Sequence, residues 1–432
     1  MYFKLKSCVW ELTLACCFSC RYCGSGGGKA RDNELNTEEC LEVVNQLSKL
    51  GCKRVSLIGG EVFMRNDWKK IVSAMTSKNI NVSIITNGYS LTDKQINDLK
   101  EVDIESIAIS LDGLSEVHDR YRMDGSFDAA KKTLFLLDEN GINVSLISTL
   151  NKENVEQLED FYEEIKDWPI KAWQLQACSP MGNVKKTGVD YRFNHLDVIH
   201  FVEKHMFDAP FSMGIADNIG YFTDKEGYLR GNLSGRAVFS GCHAGISAVA
   251  IDSVGNVRGC ESMYDEHFIE GNVRDRSLED IWNDPEKFAY NRQFDLSKLT
   301  GNCAKCMYAP NCAGGCRSYN YFVHNNIYES KMCVRNSVEY ADKIKNHPGK
   351  RKCEQLKELR KNIAKANNIE YETIECEHTG ACSGTCPMCD SEIAYIDEQL
   401  QLKKAKGEKI NLYGIAADYI KNTGIELYNE SY

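Results

Sequence analysis

The chain has 432 residues, with 52 Lys and Arg against 62 Asp and Glu, a net charge of −10, 43% hydrophobic and 26% charged residues. That length exceeds one ordinary core and predicts about two or three domains of a globular protein, and the negative charge excludes the basic footprint of a nucleic-acid binder. No run of about 18 apolar residues occurs and the N-terminus lacks a signal-peptide pattern, so no membrane association and a cytoplasmic location are expected.

The first notable stretch is residues 16–23, in which Cys16, Cys20 and Cys23 have Cys-x3-Cys-x2-Cys spacing. A loop of that spacing can turn three thiolates toward one point. A four-iron cluster held by three thiolates keeps one iron open to a small molecule, whereas a zinc knuckle or a group of buried cysteines are the structural alternatives. The chain has twenty cysteines, and most fall in three groups at 16–23, 303–316 and 376–389. In a chain with no export signal this favours metal ligation over disulfides. Cys8, Cys40, Cys52, Cys178 and Cys353 stand apart and are expected to be small buried hydrophobes.

Residues 1–205 alternate strand and helix patterns. Strands are expected at Val55–Ile58, Val82–Ile85, Ile107–Leu111, Val144–Leu150 and Ala172–Leu175. Between them Cys40, Val43, Val44, Leu47 and Leu50 form a helical stripe, Thr92 with Gln95 reads as a capping box, and Gly141 stands where a helix stops. Such alternation implies a parallel sheet covered by helices, a partial barrel of about six strand–helix units with its chemistry at the strand C-termini. Three strands run directly into polar turns there: Gly59-Gly60-Glu61, Thr86-Asn87-Gly88 and Ser110-Leu111-Asp112-Gly113. Glycine lets backbone come close to a ligand, and the polar neighbours supply hydrogen bonds.

Together these residues resemble the core of radical S-adenosylmethionine (SAM) enzymes. The resemblance implies that Cys16, Cys20 and Cys23 hold a 4Fe–4S cluster whose open iron is chelated by SAM. It places Tyr22 beside the adenine, Glu61 with Gly59 and Gly60 at the SAM amino group, Ser110 and Asp112 at the ribose, Thr86 and Asn87 near the same pocket, and Arg122 at the carboxylate. Cys17 departs from the usual pattern and is expected to turn away. The family's chemistry is one-electron cleavage of SAM to a 5′-deoxyadenosyl radical, which implies a flavodoxin- or ferredoxin-type electron donor.

Residues 206–241 change to Gly, Asn, Asp and aromatics (Phe211, Tyr221, Phe222, Tyr228, Phe239), read as packing of a linker or as a substrate cleft, and a domain boundary is set there. Beyond it stand Cys242, Gly255, Cys260, then Cys303-x2-Cys306-x5-Cys312-x3-Cys316, and Cys333. Seven cysteines exceed the needs of one zinc. The array resembles the SPASM extension of radical SAM enzymes, and the resemblance assigns Cys303, Cys306, Cys312 and Cys333 to an outer auxiliary 4Fe–4S cluster and Cys242, Cys260 and Cys316 to an inner one. No cysteine lies between Cys178 and Cys242, so the inner cluster has three thiolates, its fourth position being open, bound by water or substrate, or met by a non-cysteine residue.

Residues 341–370 are a basic helical linker, and 371–432 a tail with Cys376, Cys382, Cys386 and Cys389, suited to a structural zinc or a further iron–sulfur cluster. The expected architecture is thus α/β: a partial (β/α)6 radical SAM barrel over 1–205, a SPASM domain over 206–340, the linker and the Cys-rich tail. Within this class the common substrates are peptides and small proteins. The leading expectation is oxidative modification of a ribosomally made peptide by a thioether or carbon–carbon cross-link, with the electron returned through the auxiliary clusters. The alternatives are a sulfatase-maturating enzyme forming formylglycine and a small-molecule or cofactor-biosynthesis enzyme. Residues 343–432 are expected to contribute to substrate recognition.

Overall fold

The computed structural model describes residues 3–89, 91–223, 225–231, 239–306, 308–337, 348–373 and 387–411. It divides into two units, residues 1–334 and 335–432. The first is built on one ten-stranded sheet. Its strands are β1 (Ser7–Thr13), β2 (Arg54–Gly59), β3 (Asn81–Thr86), β4 (Ser106–Ser110), β5 (Val144–Leu150), β6 (Ala172–Ala177), β7 (Ser212–Ile215), β8 (Ala248–Ile251), β9 (Asn256–Arg258) and β10 (Gly271–Asn272). Their spatial order is β10-β9-β8-β1-β2-β3-β4-β5-β6-β7, parallel from β8 through β7 and antiparallel beyond β8. The six strand–helix units expected from the sequence are the middle of this sheet. Strands from beyond residue 205 extend it at both ends, β7 on β6 and β8 on β1, so the cysteine-rich part shares the barrel's sheet.

The helices α1 (Thr37–Lys49), α2 (Trp68–Thr76), α3 (Asp93–Glu101), α4 (Ser115–Tyr121), α5 (Ser126–Glu139) and α6 (Leu158–Ile165) form in the crossovers. Local chemistry starts and stops them. Asn36 and Glu39 close a capping box on α1, Thr92 and Gln95 close the expected one on α3, and Gly141 takes φ 74° just past α5. Cys40, Val43, Val44 and Leu47 of α1 are buried, as their periodicity predicts. Cys8, Cys40 and Cys52 are also buried, and so is Cys178, which packs with Tyr22, Val117 and Tyr121. Burial pushes the Cys178 thiol up to about 12, so it stays protonated and inert.

The second unit contains helices Pro348–Ala366 and Pro387–Ala405, joined by an ion pair of Arg360 with Glu392 at 2.8 Å, to which Tyr371 also donates. Cys376, Cys382 and Cys386 of the expected tail site lie outside the described residues, and Cys389 lies in the second helix without a described side chain. No helix among the described residues is long and apolar enough to cross a membrane.

Candidate active site

The loop after β1 is held against the Gly59–Gly60 turn by backbone pairing. Gly60 N donates to Thr13 O at 2.8 Å and Glu61 N to Ala15 O at 2.6 Å. A Cβ on Gly59 would meet Thr13 O at 2.2 Å, and one on Gly60 would meet Ala15 O at 2.1 Å. The glycines are therefore required by the chain's own backbone, because only glycine lets the two turns close to this distance. Beside them Cys16, Cys20 and Cys23 line one cavity of about 170 Å³ with Tyr22, Gly59, Gly60, Thr86, Asn87, Ser110, Arg122 and Thr149. Cys17 is exposed, with Asn87 Nδ2 3.6 Å from its sulfur.

Of the predicted SAM contacts, Glu61, Thr86 and Asn87 come together behind the Gly-Gly turn. Glu61 is 6% exposed and accepts from Thr86 Oγ1 and Asn87 N, each at 2.9 Å. Burial outweighs these bonds and pushes its carboxyl up to about 7. Asp112 is used differently from the expectation of an open ribose ligand. It accepts from the Tyr22 hydroxyl, from Arg122 Nε and from Thr149 N at 2.8 Å, and it is not among the residues lining the cavity. Arg122 holds the Asp112 carboxyl below the usual carboxylate range against the opposing effect of burial. Asp112 N donates to His118 Nδ1 at 3.2 Å, so this imidazole carries its proton on Nε2; burial lowers it to about 4 and it stays neutral. Ser110 and Arg122 remain on the cavity wall. Thr149, on the next strand, was not among the expected residues, since nothing in its local sequence marks it.

A second, larger cavity of about 550 Å³ fills the barrel. Its wall carries Ser56, Ser83 and Ser106 in register across β2, β3 and β4, with Ser56 and Ser83 hydroxyls 3.0 Å apart. It reaches Gly24, Ser25 and Met181 beside the three-cysteine loop, and Glu261 and Ser262 beside Cys260.

The seven downstream cysteines gather as two sets. Cys312 lies within electrostatic reach of Cys303, Cys306 and Cys333, and Cys260 within reach of Cys242 and Cys316. Backbone N–H groups point at these sulfurs, as Ser330 N does at Cys303 Sγ, 3.4 Å away. Among the described residues no three Cys, His, Asp or Glu side chains close as tightly as the ligands of a single ion; a cubane holds its thiolates at its corners, farther apart. The expected aromatics serve these sets: Tyr221, Phe222 and Phe239 pack with Cys312, Cys316 and Cys333. The Tyr221 hydroxyl accepts from Cys316 N and donates to Asp217 O, both at 2.7 Å. That clamp ties the backbone of Asp217 to the chain at Cys316. The residues present fit three iron–sulfur clusters and SAM: three thiols around one cavity, two further thiol sets, and backbone donors aimed at sulfur.

The family model of the radical SAM superfamily matches residues 10–165, and that of the SPASM iron–sulfur cluster-binding domain matches residues 242–307. The chain belongs to the radical SAM superfamily and carries a SPASM domain. It is therefore a SAM-dependent enzyme that uses 4Fe–4S clusters. Among its relatives is the mycofactocin maturase MftC of Mycolicibacterium smegmatis, 29% identical over 73% of this chain and 78% of that protein. The AdoMet-dependent heme synthase of Methanosarcina barkeri is 26% identical over 76% of this chain and 95% of that protein. Streptococcus suis SuiB bound to S-adenosylmethionine shares the fold with a TM-score of 0.62 at 19% identity, over 77% of this chain and 78% of that one.

Proposed function

We propose that this radical SAM/SPASM enzyme oxidatively modifies a ribosomally made peptide, forming a thioether or carbon–carbon cross-link. The carrying observation is that one cavity touches both the three-cysteine loop and the strip beside Cys260. One substrate group can there meet the hydrogen-abstracting radical and an electron acceptor in turn. The maturase relative supports this reading, and SuiB, of the same fold, has been seen with its precursor peptide SuiA. The heme synthase relative favours a second reading, a cofactor-biosynthesis enzyme. The row of serine hydroxyls, with Gln174 and Gln176, suits a peptide's donors and acceptors better than the apolar face of a tetrapyrrole.

In this reading Cys16, Cys20 and Cys23 hold the SAM-binding cluster, Cys303, Cys306, Cys312 and Cys333 the outer auxiliary cluster, and Cys242, Cys260 and Cys316 the inner one. The inner cluster's fourth position is then open to water or substrate, or met by a non-cysteine ligand of the protein. Bound SAM and its reduced cluster supply the radical that removes one hydrogen from the peptide. Glu61, Thr86 and Asn87 orient the amino end of SAM, and Arg122, fixed by Asp112, presents a cation to its carboxylate. Glu261 Oε2 stands 3.3 Å from Cys260 Sγ and lines the cavity, so this carboxylate receives the proton released when the second electron leaves the substrate. A low-potential flavodoxin or ferredoxin supplies the priming electron.

The test is anaerobic reconstitution with SAM and reductant, offering small peptides captured from the host on the protein itself. Formation of 5′-deoxyadenosine with a peptide lighter by two hydrogens is expected. Deoxyadenosine with every peptide mass unchanged, including in heavy water, would overturn the peptide reading and favour the cofactor one.

A further inference from the structure

Arg317 follows Cys316 directly and begins the helix Arg317–His324. Its side chain is 0% exposed. Nη1 donates to Ala313 O and to Gly315 O, whereas Nε and Nη2 have no hydrogen-bond partner. Its Cζ lies 3.6 Å from the centroid of the Phe294 ring, a cation–π contact. Among the described residues no carboxylate pairs with it. The titratable groups around it are thiols and a phenol: Cys242 and Cys316 of the inner set, Cys312 and Cys303 of the outer set, and Tyr221.

A buried guanidinium without a counter-charge is a strongly unfavourable arrangement, and two free N–H donors add to it. A thiolate-ligated four-iron cluster is an anion whose sulfurs accept hydrogen bonds. Two such anions on either side would satisfy both the charge and the donors. Cluster potentials rise with neighbouring positive charge and with hydrogen bonds to sulfur.

We infer that Arg317 is a counter-cation shared by the two auxiliary clusters, its Nε–H and Nη2–H donating to cluster sulfur and raising the clusters' reduction potentials. Its role is to make the pair a competent acceptor of the single electron that the substrate radical gives up, the accompanying proton passing to the Glu261 carboxylate on the cavity wall. The inference rests on the assignment of the seven cysteines to two clusters and is independent of the substrate.

The test uses the full chain with Cys16→Ala, Cys20→Ala and Cys23→Ala, so that only auxiliary clusters remain. Iron content checks the assignment by itself: a protein that loads no iron overturns the cysteine assignment and this inference with it. In the loaded protein, Arg317→Met is expected to lower the reduced-to-oxidised ratio of an auxiliary cluster about tenfold at a fixed poise, about 59 mV for one electron. Arg317→Lys, which keeps the charge and loses the planar fork, should fall between. Pulsed EPR of the reduced protein carrying Arg317 and ¹⁵N-labelled arginine should show nitrogen coupling to a cluster. That measurement decides even where neither variant loads iron. Full iron with an unchanged potential in Arg317→Met, or no arginine coupling in the protein retaining Arg317, would overturn the inference.

Discussion

Gly60→Ala probes the contact on which the catalytic loop depends. The added Cβ would stand 2.1 Å from Ala15 O, 2.4 Å from Leu14 O and 2.5 Å from Ala15 C, all of them backbone atoms with no rotamer to change. Relief therefore requires the two turns to part by about 1 Å, which breaks the Gly60 N to Thr13 O and Glu61 N to Ala15 O bonds. Overpacking at about 1–3 kcal/mol and two backbone hydrogen bonds at about 1 kcal/mol each give a destabilisation of roughly 3–5 kcal/mol. The displacement is carried to Cys16, one residue beyond Ala15, and misplacement of about 1 Å in a reacting constellation lowers rates about 100-fold. Anaerobically reconstituted variant should lose about a third of its iron, that of one cluster in three, and most of its SAM cleavage. The auxiliary clusters, whose cysteines lie elsewhere in the chain, should keep their EPR signal. Full iron content with wild-type 5′-deoxyadenosine formation would refute the reasoning, because it would mean that the loop tolerates the shift.

Glu61 gives a pH prediction. With its carboxyl raised to about 7 from 4.5, the folded SAM-free protein binds more protons than the unfolded chain between those values, so its stability falls as pH rises through that window and levels above it. An ammonium brought to Glu61 favours the ionised form, so SAM affinity measured calorimetrically should rise from pH 6 to pH 8, and Glu61→Gln should flatten that rise; equal slopes in both proteins would count against the contact. Asp112→Asn leaves Arg122 buried without its partner and should destabilise by about 3–5 kcal/mol at pH 7. Because the Asp112 carboxyl is depressed in the folded state, its contribution is present above the ordinary carboxylate range and lost as pH falls through its own lower value, so the gap in melting temperature should narrow in acid. Glu261→Gln should retain SAM cleavage while peptide product falls about 100-fold or more, and an undiminished product yield would remove Glu261 from the proton path. Deletion of residues 343–432 should weaken peptide binding with SAM cleavage intact; joint loss of both would mark that segment as structural.

Where residue type and short spacing carry the chemistry, the sequence was sufficient. Cys16, Cys20 and Cys23 span one loop, and Gly-Gly-Glu and Thr-Asn-Gly follow their strands directly, so each motif is legible in a short window, although the sheet is what brings the three together. Periodicity likewise placed α1 and the five strands whose apolar runs are continuous. It missed β1 and β7, whose neighbours in the sheet, β8 and β6, lie far along the chain or are joined through long connections.

The use of Asp112 was decided by the tertiary structure. As a strand-end aspartate it could face a ligand or its own chain, and the approach of Arg122 from the end of α4 and of Tyr22 from the cysteine loop turned it inward. In the same way, only the register of β2 to β4 sets Ser56, Ser83 and Ser106 in one row on the cavity wall. The composition and order of the cysteines determined that this is an iron–sulfur enzyme of the radical SAM class, because ligation depends on donor type and local spacing. That Cys242 meets Cys260 and Cys316, that Tyr221 ties the backbone of Asp217 to that of Cys316, and that Arg317 is enclosed beside thiols from both sets depended on folding. Such contacts join residues dozens of positions apart, and their free energy comes from burial and charge pairing that no local window of sequence contains.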